Sequence, residues 1–220
     1  MLDAWRVEGP KQVLVEVRII AADQEVDSSI DWVEGRITGL DQRGSQPIIA
    51  ARVSDDHLRQ FIQRVQSDQR SNVLMAPKVT LFNGQSGTII SGTQRPFVTD
   101  VEFRGRNALQ PVIDVVECGL SIMVQPVVQP RNELELTFEL RTSQIDAVEM
   151  ANLPIRYPDQ PKTNVTVQVP LVAEKTIGGS VSLTTKQSIL IAAPRRFESE
   201  DPVDAASAVY YVLTPRIIQP

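Results

Sequence analysis

Residues 133–141 read Glu-Leu-Glu-Leu-Thr-Phe-Glu-Leu-Arg, with Leu134, Leu136, Phe138 and Leu140 at every second position. Glu133, Glu135, Thr137, Glu139 and Arg141 fill the places between them. A period of two puts alternate side chains on opposite faces, so this stretch buries one face and wets the other only as a β-strand. The same spacing opens the chain at 11–22, where Val13, Val15, Val17 and Ile19 share a face. A short strand is expected in "IIAARV", and others over 73–81, 86–91, 96–103, 111–128, 133–143, 163–172, 179–185, 187–193 and 208–218. The clearest hairpin lies at 119–143.

One stretch changes period. In "SDDHLRQFIQRVQSDQRSN", Leu58, Phe61, Ile62 and Val65 recur at helical spacing. Ser54 or Asp55 caps its start, and Asp55 and Asp56 suit the positive end of the helix dipole. The spacing predicts one helix at about 55–69. Turns are expected at Asn83-Gly84, Pro130-Arg131-Asn132 and Gly178-Gly179, and two long loops at 142–162 and 194–207. Pro77, Pro126, Pro170 and Pro215 fall inside strand patterns, which points to edges, bulges or bends.

Chemistry is scarce. The net charge of −5 and the lack of a basic, aromatic-interleaved stripe argue against a nucleic-acid partner. The single histidine, His57, sits in a polar helix start and reads as a solvated residue. The single cysteine, Cys118, excludes an intrachain disulfide and a cysteine metal site, and reads as a small buried hydrophobe. "IGGS" lacks the Gly-Lys-Ser/Thr of a phosphate loop. Asn164-Val165-Thr166 fits a glycosylation sequon inside a strand pattern, and Asp55/Asp56 and "ESED" are surface carboxylate runs. No catalytic residue, cofactor or metal is expected, and the chain does not read as an enzyme. No apolar run reaches the length of a membrane helix. Alternating strands leave three architectures open: a sandwich with one wet side, a closed barrel in solution, or a membrane barrel with strands of about 9–11 residues.

The stretch 71–99, "SNVLMAPKVTLFNGQSGTIISGTQRPFVT", decides among the families. Its Met75-Ala76-Pro77-Lys78-Val79-Thr80, Asn83-Gly84-Gln85, Gly92 and Pro96-Phe97-Val98 resemble the hallmark segment of bacterial secretins, the outer-membrane channels of type II and III secretion and type IV pilus systems. "VLVEVRII" resembles the family's opening strand, "ECGLSIMVQPVV" its Gly-Leu-x-Leu-x-Val-x-Pro strand, and "ELELTFEL" the hairpin partner. "VPLVAEKTIGGSVSLTTKQSILIAA" and the closing "YYVLTPRII" are similar to its last strands, so the likeness covers nearly the whole chain.

The resemblance implies a mainly β fold (β-rich α+β), whose multi-stranded sheets contribute to a homo-oligomeric barrel. It implies one secretin-like pore domain over 1–220, with entry strands at 11–53 and a helical segment at 54–70. Core strands follow at 71–130, with a gate-like insertion at 95–112, and then barrel strands and the C-terminal strand at 131–220. Pro77, Asn83, Gly84, Gly92, Pro96, Gly119, Pro126 and Pro215 are the expected geometric positions. Arg95, Asp100, Arg104 and Arg106 are the expected charges at the tip of a lumen gate. Partners would be further copies of the chain in a large ring, secretion or pilus machinery, a lipoprotein pilot and outer-membrane lipid, with protein or pilus-type cargo in the lumen.

The chain departs from the family pattern in two places. "PRRFESEDPVDAAS" stands where secretins carry a segment rich in Leu-Gly and Ile-Pro, and Ala192-Ala193 where they tend to have Gly-Gly. The first departure raises an alternative, a soluble secretin-derived ring or assembly module outside lipid. The start "MLDAWRVEGPKQ" has neither the basic nor the apolar region of a signal peptide. The chain is therefore expected to be either cytosolic or a piece of an exported outer-membrane protein whose periplasmic domains lie upstream.

Overall fold

The computed structural model describes residues 11–23, 37, 40–43, 49–67, 72–104, 108–155, 163–194 and 207–218. Strand β1 (Gln12–Asp23) pairs along its whole length with β11 (Ser207–Ile218), antiparallel, from Gln12↔Ile218 to Asp23↔Ser207. On its other side it meets β5 (Lys78–Phe82) and then β4 (Asn72–Met75), with the register shifting between Ile19 and Ile20. Strands β10 (Gln187–Pro194) and β3 (Ile49–Ser54) extend the sheet beyond β11, in the order β3-β10-β11-β1-β4.

This sheet is buried on both sides. Ile20, Ala51, Val53, Leu190, Tyr210 and Val212 lie under helix α1 (Asp55–Ser67), whose Leu58, Phe61 and Val65 form its apolar stripe. The Phe61 and Tyr210 rings meet edge to face, with centroids 5.1 Å apart. Ser54 Oγ accepts the His57 N–H at 3.3 Å and so caps the helix. Asp55 reaches Arg216 of β11. On the opposite side Val13, Val15, Val17, Ile189, Ile191 and Leu213 are fully buried.

The second antiparallel sheet supplies the matching apolar row. Its order is β2 (Asp41–Arg43), β9 (Thr163–Thr184), β8 (Glu133–Ile155), β7 (Ala108–Val128) and β6 (Gly87–Arg104). Ile122, Val124, Leu134, Leu136, Phe138, Leu140, Val181 and Leu183 are buried, each worth about 1.5–3 kcal/mol of transfer free energy for a full-sized side chain. The alternate residues stay polar: Thr137 donates to Ser180 Oγ at 3.1 Å, which donates to Glu135 Oε1 at 2.7 Å.

The chain divides into two compact units. One comprises 1–89, 122–140 and 176–220, and the other 90–121 and 141–175, so β6, β7, β8 and β9 each belong partly to both.

Several expectations change. The strand expected over 73–81 is two, split at Ala76-Pro77, where the Pro77 carbonyl takes the Val17 N–H at 2.9 Å. The strands expected at 86–91 and 96–103 are one, because Gly92 and Pro96 are tolerated within β6. The loop expected at 142–162 is strand as far as Ile155, and 156–162 lies outside the described residues, as does 195–206 of the second loop. Gly178-Gly179 is not a turn but the interior of β9. A β-carbon on Gly178 would lie 3.0 Å from the Phe138 carbonyl, and one on Gly179 2.7 Å from Leu40, so these glycines serve close approach instead. Cys118 is half-buried rather than buried.

Candidate functional site

The turn Asn83-Gly84-Gln85, between β5 and β6, is stitched to two other strands. Gly84 has φ +79°, a conformation favourable to glycine, and its N–H donates to the Pro126 carbonyl at 2.7 Å. Asn83 Oδ1 accepts the Val128 N–H at 2.7 Å, and the Asn83 N–H reaches the Lys11 carbonyl at 2.9 Å. Pro126 and Pro215 are buried. Pro215 pairs with Val15 of β1, while pairing of β11 with β10 stops at Leu213, short of the proline's missing donor.

In the second unit β6 and β7 form a long hairpin whose root is a pair of glycines. A β-carbon on Gly92 would lie 2.3 Å from the Cys118 carbonyl oxygen. One on Gly119, at φ +142°, would lie 2.4 Å from the Ser91 carbonyl and 2.5 Å from Gly92 Cα. Only glycine lets these backbones pass so close. Gly92, Gln94, Glu117, Gly119, Arg141 and Glu174 line an open groove of about 830 Å³ beside this root. Arg141 and Glu174 form an exposed ion pair at 2.7 Å, worth about 0–1 kcal/mol.

Beyond the root, the hairpin is strand on both sides rather than loop, up to Arg104 and again from Ala108. Gln94 Nε2 donates to Glu117 Oε1 at 2.6 Å and Thr99 Oγ1 to Asp114 Oδ2 at 2.6 Å, tying its two strands together. Pro96 sits in β6, the last strand of its sheet, where a missing N–H leaves no ladder bond unmade. The Arg95 guanidinium lies 5.6 Å from the centre of the Phe97 ring. Asp100 Oδ1 accepts the Val101 N–H at 2.7 Å, and Arg104 is exposed at the strand's end. Arg95, Asp100 and Arg104 are therefore spread along β6 rather than gathered at a tip, and Arg106 lies outside the described residues.

Two features were missed in the sequence. The first is the uncharged run Thr163–Ala173 of β9, in which Val169, Leu171 and Val172 are 39%, 42% and 44% exposed. Met150 of β8 is 63% exposed. The signal was present as eleven successive residues without a charge, ending at Glu174-Lys175.

The second is Lys175, only 8% exposed, whose Nζ has no hydrogen-bond partner among the described residues. Burial pushes this amine's pKa down from 10.5. The unfolded chain then holds more protons between the lowered value and 10.5, so stability rises with pH across that window. Lys175→Met keeps the length and removes the charge. It is expected to stabilise the fold by about 1–3 kcal/mol and to flatten the rise with pH, as read from urea midpoints at neutral and alkaline pH.

Among the described residues no three His, Cys, Asp or Glu side chains group to hold a metal, and no helix is long and apolar enough to cross a membrane.

The chain is similar to known proteins across most of this architecture. It is 32% identical over 124 residues to the virion export protein of Enterobacteria phage I2-2, covering 55% of this chain and 28% of that protein. It is 30% identical over 131 residues to the virion export protein of Salmonella phage IKe, covering 56% and 29%. The chain thus spans less than a third of the length of these curated relatives. Among solved structures it is similar to the V. cholerae type IV competence pilus secretin PilQ, at 14% identity and a TM-score of 0.43 over 96% of this chain and 61% of that one. It is also similar to the secretin-domain β-barrel of InvG from the Salmonella SPI-1 injectisome, at 11% identity and 0.46 over 96% and 64%. Residues 64–193, more than half the chain, match the model of the Secretin family, bacterial type II and III secretion system protein. The chain belongs to the secretin family, a family of structural channel proteins rather than enzymes.

Proposed function

We propose that the chain is the pore-forming domain of a homo-oligomeric outer-membrane channel, gated by the hairpin at 95–112. The observation that carries this is the pair of open edges on the second sheet. The sheet ends at β6 on one side. On the other, β2 pairs only with Thr176, Ile177 and Gly178 of β9, so among the described residues no strand pairs with the edge of Thr163–Lys175 that faces away from β8. Unpaired edges of this length invite another copy. The four strands β6 to β9 alternate in direction, so copies joined head to tail continue the antiparallel pattern, and a ring closes every edge. The geometric residues Pro77, Asn83, Gly84, Gly92, Pro96, Gly119, Pro126 and Pro215 then fix where strands bend and turn, and Arg95, Asp100, Arg104 and Arg106 suit a wet lumen. The relatives' names extend the cargo from proteins and pili to virions. Machinery components and a lipoprotein pilot are the further partners.

The second reading, a soluble ring, draws on the acidic segment at 194–207. The uncharged run Thr163–Ala173, with Val169 and Leu171 exposed on one face of the strand, favours lipid over that reading, since its length fits the roughly 9–11 residues of a membrane strand. Electron microscopy of detergent-extracted and aqueous material separates the two. Rings in detergent are expected, rings in water alone would establish the soluble module, and monomers in both would overturn both readings.

A further inference from the structure

We propose that Lys175 is a junction residue, completed only in the ring by an oxygen acceptor that β6 of the next copy supplies around Ser91 and Thr93; this rests on the reading of the chain as a ring subunit. Lys175 is 8% exposed, and its Nζ meets no hydrogen-bond acceptor among the described residues. A buried amine without a partner gives up its hydration and gains nothing in exchange, so the single chain carries it at a cost. A group of that kind is explained when a second copy brings the missing acceptor.

Lys175 stands where that copy would begin. Strand β2 pairs with Gly178, Ile177 and Thr176 of β9 and stops, so Lys175 is the first residue of the β9 edge left open to another chain. In the second unit the β9 segment ends at Lys175 and the β6 segment starts at Ile90. When β9 pairs antiparallel with β6 of the next copy, the Lys175 end of one edge therefore meets the Ile90 end of the other.

The faces agree as well. Gln94 and Glu174 line one groove and share its face, which turns their sequence neighbours Thr93 and Lys175 to the opposite face. Ser91, two residues from Thr93, falls on that face too. Thr93 is exposed and Ser91 half-buried in the single chain. Arg95, the next residue on that face, stacks its guanidinium on the Phe97 ring, 5.6 Å from the centre. A buried cation that is costly in one chain and bonded between two favours the assembled state and fixes its register.

The test uses the full-length protein. Lys175→Met keeps the length of the side chain and removes its donors. Association at each junction is expected to weaken by about tenfold to a hundredfold, the worth of a hydrogen bond to a charged group, read as ring yield on native gels across a dilution series. The urea midpoint of the unassembled variant is expected to rise, whereas a purely structural residue would move folding and assembly in the same direction. Disulfide trapping reads proximity separately. With the single cysteine removed by Cys118→Ser, Lys175→Cys combined with Ser91→Cys or Thr93→Cys is expected to link copies in series, and Lys175→Cys alone is not. Undiminished ring yield in Lys175→Met, a fall in both yield and midpoint, or no linkage from either cysteine pair would overturn the proposal. A wild-type protein that forms no rings would overturn the ring reading beneath it.

Discussion

Gly119→Ala is expected to cost about 2–6 kcal/mol and with it the assembly of the ring. The new methyl would meet backbone, not a side chain that can turn aside: the Ser91 carbonyl at 2.4 Å and Gly92 Cα at 2.5 Å. Overpacking of this kind costs about 1–3 kcal/mol or more. Holding a non-glycine residue at φ +142° adds about 1–3 kcal/mol of backbone strain. Gly84→Ala is the control. Its φ is +79°, but nothing lies within 4 Å of the added carbon, so only the strain of about 1–2 kcal/mol applies. Urea midpoints and the yield of rings on native gels measure both. If Gly119→Ala were no worse than Gly84→Ala, β6 and β7 would not pass at this distance.

That contrast marks what was legible in the sequence. Strand periodicity is a local property, so 133–143 and 11–22 announced themselves, and the helix stood out because Leu58, Phe61 and Val65 changed the period. Where elements end is not local. Gly92 and Pro96 read as interruptions, yet β6 runs through both, because an edge strand needs no donor at Pro96 and a crossing backbone needs no β-carbon at Gly92. Gly178-Gly179 misled for the same reason: the pair serves neighbours from β8 and Leu40 that a one-dimensional pattern does not contain. The Asn83-Gly84 turn was legible since its chemistry is carried by adjacent residues. Lys175 was not, because a polar residue in an alternating strand looks the same whether it meets water, a distant backbone group or nothing.

Introducing lysines at Val169 and Leu171 should decide where the wall meets lipid. Both residues lie in the uncharged run of β9 and expose their apolar side chains. A lysine facing the middle of a bilayer from a barrel strand costs about 2–4 kcal/mol, falling towards zero near the interface. The double variant Val169→Lys/Leu171→Lys is therefore expected to lose several kcal/mol of membrane stability and to leave the membrane fraction. Its water-soluble fold should survive, because neither side chain belongs to the buried core. Glu139→Lys, on the exposed polar row of β8, is expected to partition like the wild type. Fractionation of membranes followed by detergent extraction reads the outcome. A double variant that stays in the membrane as rings would mean that this face of β9 looks into water, and the lipid contact would then have to come from elsewhere in the ring. The magnitudes settle the sign in advance: two buried charges in hydrocarbon outweigh any single hydrogen bond or surface ion pair in the second unit, so a wall that faces lipid here has nothing with which to offset them.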